Sequence, residues 1–354
     1  MGSMRHLHLD PAKRKPLLKD QTDLSKAPGT LQADKVHTHP RGSNNQEDGS
    51  VFFIGTATTL IEWKGIRILT DPNFLHAGDH VHLGPGVTAQ RKTDPAVDLH
   101  QLPPLDCILL SHYHEDHFDR PVEKSLNKAF DIITTPHAKE CLTSAQAKDE
   151  PFQSVHDLDF FESLMLHVDG GSADRNADLR GKASVVKVTG MPGKHVPPGP
   201  LAKANDFLKA VPPTNGWLVE LGYASKAPTG GDPESLDVGY RIYISGDTLF
   251  VDELKEIPKR LKDDKIDLML IHLGGTTIPG PSLPLLMVTM DAEQGLKLMQ
   301  LMNPDLTIPI HFDDYDVFKS PLSDFQKKVE EEGWKERVVY LDRGEQYRFQ
   351  VKDP

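Results

Sequence analysis

Apolar residues fall into short runs rich in β-branched side chains, interleaved with stretches of helical period. Thr58 to Trp63 and Ile66 to Leu69 are two such runs, and Lys64-Gly65 between them predicts a hairpin. The second run stops at Asp71-Pro72, because proline cannot continue a central strand. Cys107-Ile108-Leu109-Leu110, Asp131 to Thr135, Val185 to Thr189, Gly216 to Tyr223, Tyr240 to Ser245, Ile266 to Ile271 and Leu306 to Ile310 read as further strands. Gln153 to Val168 reads as two strands around Leu158-Asp159-Phe160. Helical spacing predicts helices over Pro121 to Ala129, His137 to Ala147, Val251 to Leu261, Met290 to Met302 (with Asp291 in its N-cap region) and Ser323 to Glu332. Val338 to Leu341 and Gln346 to Phe349 are the closing strands. Each half reads as strands followed by helices, with no short-period repeat. That order suits an α/β fold built as a four-layer αβ/βα sandwich, with helices on the outer faces of two packed sheets.

The polar stretches set the boundaries. Met1-Gly2-Ser3 reads as a cloning scar before Met4. Residues up to 49 carry scattered Pro, Gly, Lys and Asp with little periodicity, so they are expected to form an irregular arm wrapping one domain that spans 50–354. His6, His8, His37 and His39 on this arm read as solvated residues, since no carboxylate or cysteine completes a ligand set. Residues 73–100 form a long loop in which His76, His80 and His82 could line a substrate mouth. Phe74 and Leu75 in that loop are candidates for apolar substrate contacts or for ordinary packing. Residues 169–182 read as a solvated insertion, and the proline-bearing 196–214 loop as a wall of a cleft.

Composition narrows the function classes. A hydrophobic content of 38% is enough for a sizeable core. No apolar run approaches the ~18 residues of a membrane span, and no leader-like apolar stretch opens the chain. The 2 cysteines, Cys107 and Cys141, sit in apolar surroundings and are expected to stay reduced, which points to the cytoplasm. A formal net charge of -12 argues against nucleic acid and against stable docking on anionic membranes. The expected partner is therefore a small-molecule substrate.

The chemistry concentrates in Ser111-His112-Tyr113-His114-Glu115-Asp116-His117, immediately after an apolar strand. Residues two apart in an extended segment point the same way, so His112 and His114 can offer imidazoles to one metal ion. A turn then brings Asp116 and His117 toward a second. Imidazole nitrogen and carboxylate oxygen suit zinc, and also iron or manganese. Two later strands end in residues of the same kind: Ser245-Gly246-Asp247-Thr248, where a glycine turn presents a carboxylate, and His272, which closes the Ile266 strand. His272 is expected in the cleft, contacting substrate as a neutral imidazole.

The His-x-His-x-Asp-His motif resembles the signature of the metallo-β-lactamase superfamily, and the resemblance runs over roughly residues 50–348. Phe53-Ile54-Gly55-Thr56-Ala57-Thr58, Leu69-Thr70-Asp71-Pro72, Leu102-Pro103-Pro104-Leu105-Asp106 and Ser245-Gly246-Asp247-Thr248 are similar to the branch of N-acyl-phosphatidylethanolamine phospholipase D and the ascorbate-phosphate lactonases. The resemblance implies two divalent ions. His112, His114 and His195 would hold one, and Asp116, His117 and His311 the other, with Asp247 bridging. Asp71 would lie beneath them and hydrogen-bond a ligand histidine. It further implies hydrolysis by a metal-bridging hydroxide, with Asp116 orienting it and returning a proton to the leaving atom.

Three features depart from the phospholipases. Thr56 stands where they carry the histidine of Gly-His-Ala-Thr. Ile271-His272-Leu273-Gly274 replaces a Pro-Ile-Gly sequence. Thr289-Met290 precedes Asp291 where they have a histidine. The expected reaction is therefore opening of a small lactone, lactam or ester. A phosphodiesterase of the phospholipase type and a non-catalytic metal-binding scaffold are the alternatives.

Overall fold

The computed structural model describes residues 4–84, 87–145, 150–168, 182–197, 199, 205, 211–225, 236–262, 264–280 and 283–353. The expected scar, nearly all of the 169–182 insertion and most of the 196–214 loop lie outside them. In chain order the strands are β1 (Arg5–Leu9), β2 (Lys35–His37), β3 (Gly49–Gly55), β4 (Thr58–Trp63), β5 (Ile66–Thr70), β6 (His80–His82), β7 (Thr88–Gln90), β8 (Cys107–Leu109), β9 (Ile132–Thr134) and β10 (Val155–Asp157). They continue with β11 (Ser163–Val168), β12 (Lys182–Pro192), β13 (Asn215–Ser225), β14 (Asp237–Ile244), β15 (Leu268–His272), β16 (Thr277–Gly280), β17 (Leu283–Met287), β18 (Leu306–Ile310) and β19 (Glu345–Phe349). The α-helices are α1 (Arg120–Ser125), α2 (Pro136–Thr143), α3 (Glu256–Leu261), α4 (Ala292–Met302) and α5 (Leu322–Glu331).

Two mixed sheets face each other, one ordered β1-β11-β12-β13-β14-β15-β18 and the other β10-β9-β8-β5-β4-β3-β19-β2. Side-chain alternation along each strand builds the layers. In β15, Leu268 and Leu270 point to the core between the sheets, whereas Met269 and Ile271 point outward to residues of α3, α4 and α5. In β8, Cys107 and Leu109 point inward, and Ile108 packs outward with Val122 of α1 and Leu142 of α2. Both sheets are thus apolar on both faces, and the result is the four-layer αβ/βα sandwich. Burying one such aliphatic side chain stabilises the fold by about 1.5–3 kcal/mol.

The hairpin between β4 and β5 forms where Lys64-Gly65 stands, with both residues at positive φ (48° and 82°), as a tight primed turn requires. Asp291 caps α4 by accepting from Gln294 N at 2.9 Å. Several local expectations differ. Val251 to Leu261 divides into a 3-10 turn, Asp252–Lys255, followed by α3. Pro258 lacks an N–H and is tolerated only in a first turn, so the α-helix restarts next to it. Val338 to Leu341 makes a single bridge, Val338 with Thr307, while its apolar side chains fill the core. The N-terminal arm is not irregular throughout. β1 pairs in parallel with β11, and β2 with β19, so the arm supplies an edge strand to each sheet. Between them Arg14 grips Asp106 at 2.9 Å and Lys15 grips Asp131 at 2.6 Å.

Candidate metal centre

Parallel pairing aligns the C-terminal ends of β5 with β8, and of β14 with β15 and β18, and the chemistry-bearing residues stand at those ends. Asp71 follows β5 with φ 36°, and His311 follows β18 with φ 60°. A non-glycine residue at such φ is held there by its surroundings. Asp71 N donates to Leu109 O at 3.1 Å, and His311 N donates to Thr56 O at 2.9 Å. Gly246, at φ 61°, turns so tightly against the Asn215 carbonyl that a Cβ would collide with it; this turn delivers Asp247. His195 lies just past the end of β12.

Hydrogen bonds fix the tautomer of the imidazoles. Asp71 Oδ2 accepts from Ser111 Oγ at 2.9 Å and from His117 Nδ1 at 3.0 Å, and its Oδ1 accepts from Ser111 N at 2.7 Å. The Ser111 hydroxyl has spent its proton on Asp71, so it accepts from His112 Nδ1 at 2.9 Å. His195 Nδ1 donates to Val288 O at 2.9 Å, and His311 Nδ1 to Leu273 O at 3.0 Å. In all four rings Nε2 is then left with its lone pair. His112 Nε2 and His195 Nε2 face each other at 3.0 Å. Two lone pairs at that distance repel unless a cation lies between them.

The carboxylates complete the arrangement. Asp247 Oδ2 lies 3.2 Å from His117 Nε2 and 3.5 Å from His311 Nε2, and Asp116 Oδ2 lies 3.7 Å from His311 Nε2. His114 Nδ1 lies 2.7 Å from Asp116 Oδ1 without hydrogen-bonding geometry. Ligand atoms of Asp116, His117, Asp247 and His311 lie within 4.8 Å of one another, as do those of His112, His195 and Asp247 and those of His112, His114 and Asp116. Asp247 and Asp116 each belong to two of these groups. Buried and without hydrogen-bond partners are both ring nitrogens of His114, Asp116 Oδ1, and Nε2 of His117 and His311. Unpaired buried polar atoms are costly, and their convergence fits bound metal.

Burial pushes His195 down to about 4 and His112 well below its usual range. Burial also acts on Asp116 and Asp247, but the surrounding histidines pull both carboxyls well below the usual range. At His117 and His311 burial is outweighed by Asp247 and Asp116, which push both imidazoles up until a cation takes the place of their proton; neutral imidazoles and ionised carboxylates are the ligand forms a metal needs.

The description "Beta-lactamase superfamily domain" matches residues 66–312, which runs from β5 to beyond His311 and includes every residue of this centre. The chain belongs to the beta-lactamase superfamily. A UPF0173 metal-dependent hydrolase of Nanoarchaeum equitans is 23% identical over 252 residues, covering 70% of this chain and 88% of that protein. Another, of Carboxydothermus hydrogenoformans, is 23% identical over 279 residues, covering 78% and 91%. Among solved structures, the isothiocyanate hydrolase from Delia radicum gut bacteria superposes with a TM-score of 0.63 at 17% identity, over 85% of this chain and 99% of that one. A possible metal-dependent hydrolase from Veillonella parvula gives 0.59 at 17% identity, over 85% and 98%. These neighbours share the fold. As a member of the superfamily, the chain is a metal-dependent hydrolase.

The superfamily centre opens into a narrow slot. His114, Asp116, His195 and Asp247 form its polar part, and Leu83, Val211, Val288, Thr276 and Thr289 its walls. His272 is placed differently from the expectation. Its side chain is fully buried, does not line the slot, and donates from Nδ1 to Asp247 Oδ1 at 2.9 Å. The strand does end toward the site, but the ring stacks beside His117 and His311 and lies behind Asp247. Of the loop histidines, His76 pairs with Asp98 at 2.7 Å, and His80 and His82 are exposed on the β6–β7 hairpin. Phe74 packs in the outer core and Leu75 beside Val81 and Tyr315, so neither faces the slot.

A buried network behind the superfamily centre carries no local sequence signal. The Arg91 side chain, fully buried, lies 3.2 Å from Asp314 and over the Tyr315 ring. Asp314 also accepts from Thr56 N at 2.9 Å, the residue whose carbonyl holds His311. Asn73 donates to Glu115 O at 3.0 Å and to Tyr315 OH at 2.9 Å, which ties the motif loop to the same network.

Proposed function

We propose that this chain is a binuclear metal hydrolase that opens small cyclic or ester carbonyl compounds, lactones and lactams first. The observation that supports it is the set of unpaired buried nitrogen and oxygen atoms meeting at the floor of a narrow, largely apolar slot. His112, His114 and His195 would hold one ion, Asp116, His117 and His311 the other, with Asp247 between them. Zinc suits this donor set, and iron or manganese also fit. Such ions supply Lewis acidity and a water of lowered pKa.

The chain's own residues do the rest. Asp71, through Ser111 and His117, locks two rings with Nε2 toward the ions. Asp116 orients the attacking water and passes its proton to the leaving atom. Leu83, Val211 and Val288 exclude bulk water from the slot. The slot is narrow among the described residues, which suits a compact molecule better than a two-chain phospholipid. No helix among the described residues is long and apolar enough to cross a membrane.

Two measurements test this reading. Elemental analysis of protein purified without chelator is expected to give close to two ions per chain. Values of kcat/KM over lactones, lactams and esters are expected to exceed those for N-acylated phosphatidylethanolamine and a soluble aryl phosphodiester. A tenfold advantage for either phosphodiester, about 1.4 kcal/mol, would install the phosphodiesterase reading instead.

His272 in this scheme aims Asp247. Its donated hydrogen bond occupies Oδ1 and leaves Oδ2 toward His117 and His311. His272→Ala is expected to weaken metal affinity and turnover by roughly 10–100-fold. Metal titration alongside kinetics checks it, and unchanged affinity would contradict the role.

A further inference from the structure

Thr276 and Thr289 both line the slot, and the circumstances of their hydroxyls differ. Thr289 Oγ1 donates to Asp247 Oδ2 at 3.2 Å. Thr276 Oγ1 is buried, on a residue only 4% exposed, and has no hydrogen-bond partner among the described residues. Its neighbours in the wall, Leu83, Val211 and Val288, are apolar. Valine would fill the same volume there without leaving a hydroxyl unpaired.

The backbone around Thr276 leaves it little freedom to find a partner. Thr276 O accepts from Val288 N at 2.9 Å, and Gly275 N donates to Met290 O at 3.0 Å. Gly274 and Gly275 turn at φ 112° and 56°. A Cβ on Gly274 would come within 2.8 Å of the His311 carbonyl, so this turn is pressed against the end of β18. Thr276 is therefore held in a wall that adjoins His114, Asp116, His195 and Asp247. A buried hydroxyl unsatisfied by the protein marks a place where a bound molecule can satisfy it.

We propose that Thr276 is a substrate-binding residue: its hydroxyl donates a hydrogen bond to an acceptor oxygen or nitrogen of the substrate. This rests on the hydrolase reading above and sharpens it. A carbonyl substrate bound there would present one acceptor to the β15–β16 turn. Thr276 needs no contact with the ions to do this, so its removal should act on binding while the centre remains intact.

The test uses the metal-loaded full chain as wild type, Thr276→Val and Thr276→Ser. The probes are δ-valerolactone and p-nitrophenyl acetate for turnover, and δ-valerolactam for binding by calorimetry. Thr276→Val is expected to keep its metal content and its Tm. It should raise KM for the lactone and Kd for the lactam about tenfold. Thr276→Ser, which restores the hydroxyl, should return both to within about threefold of wild type. A Thr276→Val protein matching an active wild type in KM and Kd overturns the assignment of Thr276 alone, as does loss of metal or of Tm with no rescue by serine. A metal-loaded wild type that turns over neither probe overturns the hydrolase reading for these substrates. If that inert protein still binds the lactam through Thr276, the residue's role stands; if it binds none, the role falls with it.

Discussion

Asp247→Ala is expected to release both ions and to lower kcat/KM at least a thousandfold, about 4 kcal/mol of transition-state stabilisation. The carboxylate is shared between the ligand group of Asp116, His117 and His311 and that of His112 and His195. No other described residue replaces it, because Thr289 and His272 both meet it as donors. Without it the cluster of imidazoles loses a central negative charge, and the repulsion between two ions is less offset. Elemental analysis and kinetics on the same preparation make the measurement. Two ions per chain with kcat/KM within tenfold of wild type would show that Asp247 is not central.

The second large effect concerns stability. Asp314→Ala leaves the guanidinium of Arg91 buried without its carboxylate partner, and removing one member of a buried ion pair costs roughly 3–5 kcal/mol. Burial raises the Asp314 carboxyl, but Arg91 and Arg343 together pull it below its usual value. A carboxylate depressed in the folded state stabilises the protein fully above the unfolded pKa, and that contribution fades as pH falls through the folded value. The stability difference between wild type and Asp314→Ala should therefore be flat near neutrality and shrink below about pH 4. Urea denaturation across that range reads it directly. A difference under 1 kcal/mol at neutral pH would mean that Asn73 and the Thr93 carbonyl already suffice for Arg91.

The two kinds of legibility in this sequence have different physical origins. His112, His114, Asp116 and His117 could be singled out from spacing alone, because they share one strand end and one turn. Asp247 carries a weaker signal, the glycine turn that presents it at a strand end, whereas Asp71, His195 and His311 are single residues after strands whose roles come from resemblance alone. Their convergence is a product of parallel pairing across distant segments. His272 shows the limit of arguing from strand ends. The end of β15 does point to the site, yet the ring lies behind Asp247 because the Ser245 hydroxyl and Asp247 capture its N–H and Nδ1.

Thr276 had no signal beyond the Gly274-Gly275 turn before it. Arg91 and Asp314 had none, since neither partner is local to the other. β1 and β2 carry a weak apolar pattern because edge strands bury little of their surface. In Arg5-His6-Leu7-His8-Leu9 just two residues reach the core.

That edge strand has a consequence for how the chain is made. Arg5 pairs with Leu164 and Leu9 with Val168, so β1 leaves the ribosome long before its partner exists. A segment obliged to wait unpaired is least hazardous when it is polar and charged, since an apolar strand in the same position would seek other nascent chains. The composition that makes residues 5–9 look unstructured is thus suited to a strand that must wait for its partner to be synthesised. Closing the β11 edge has to await residues 163–168, whereas β5 meets β8 across a much shorter stretch of chain.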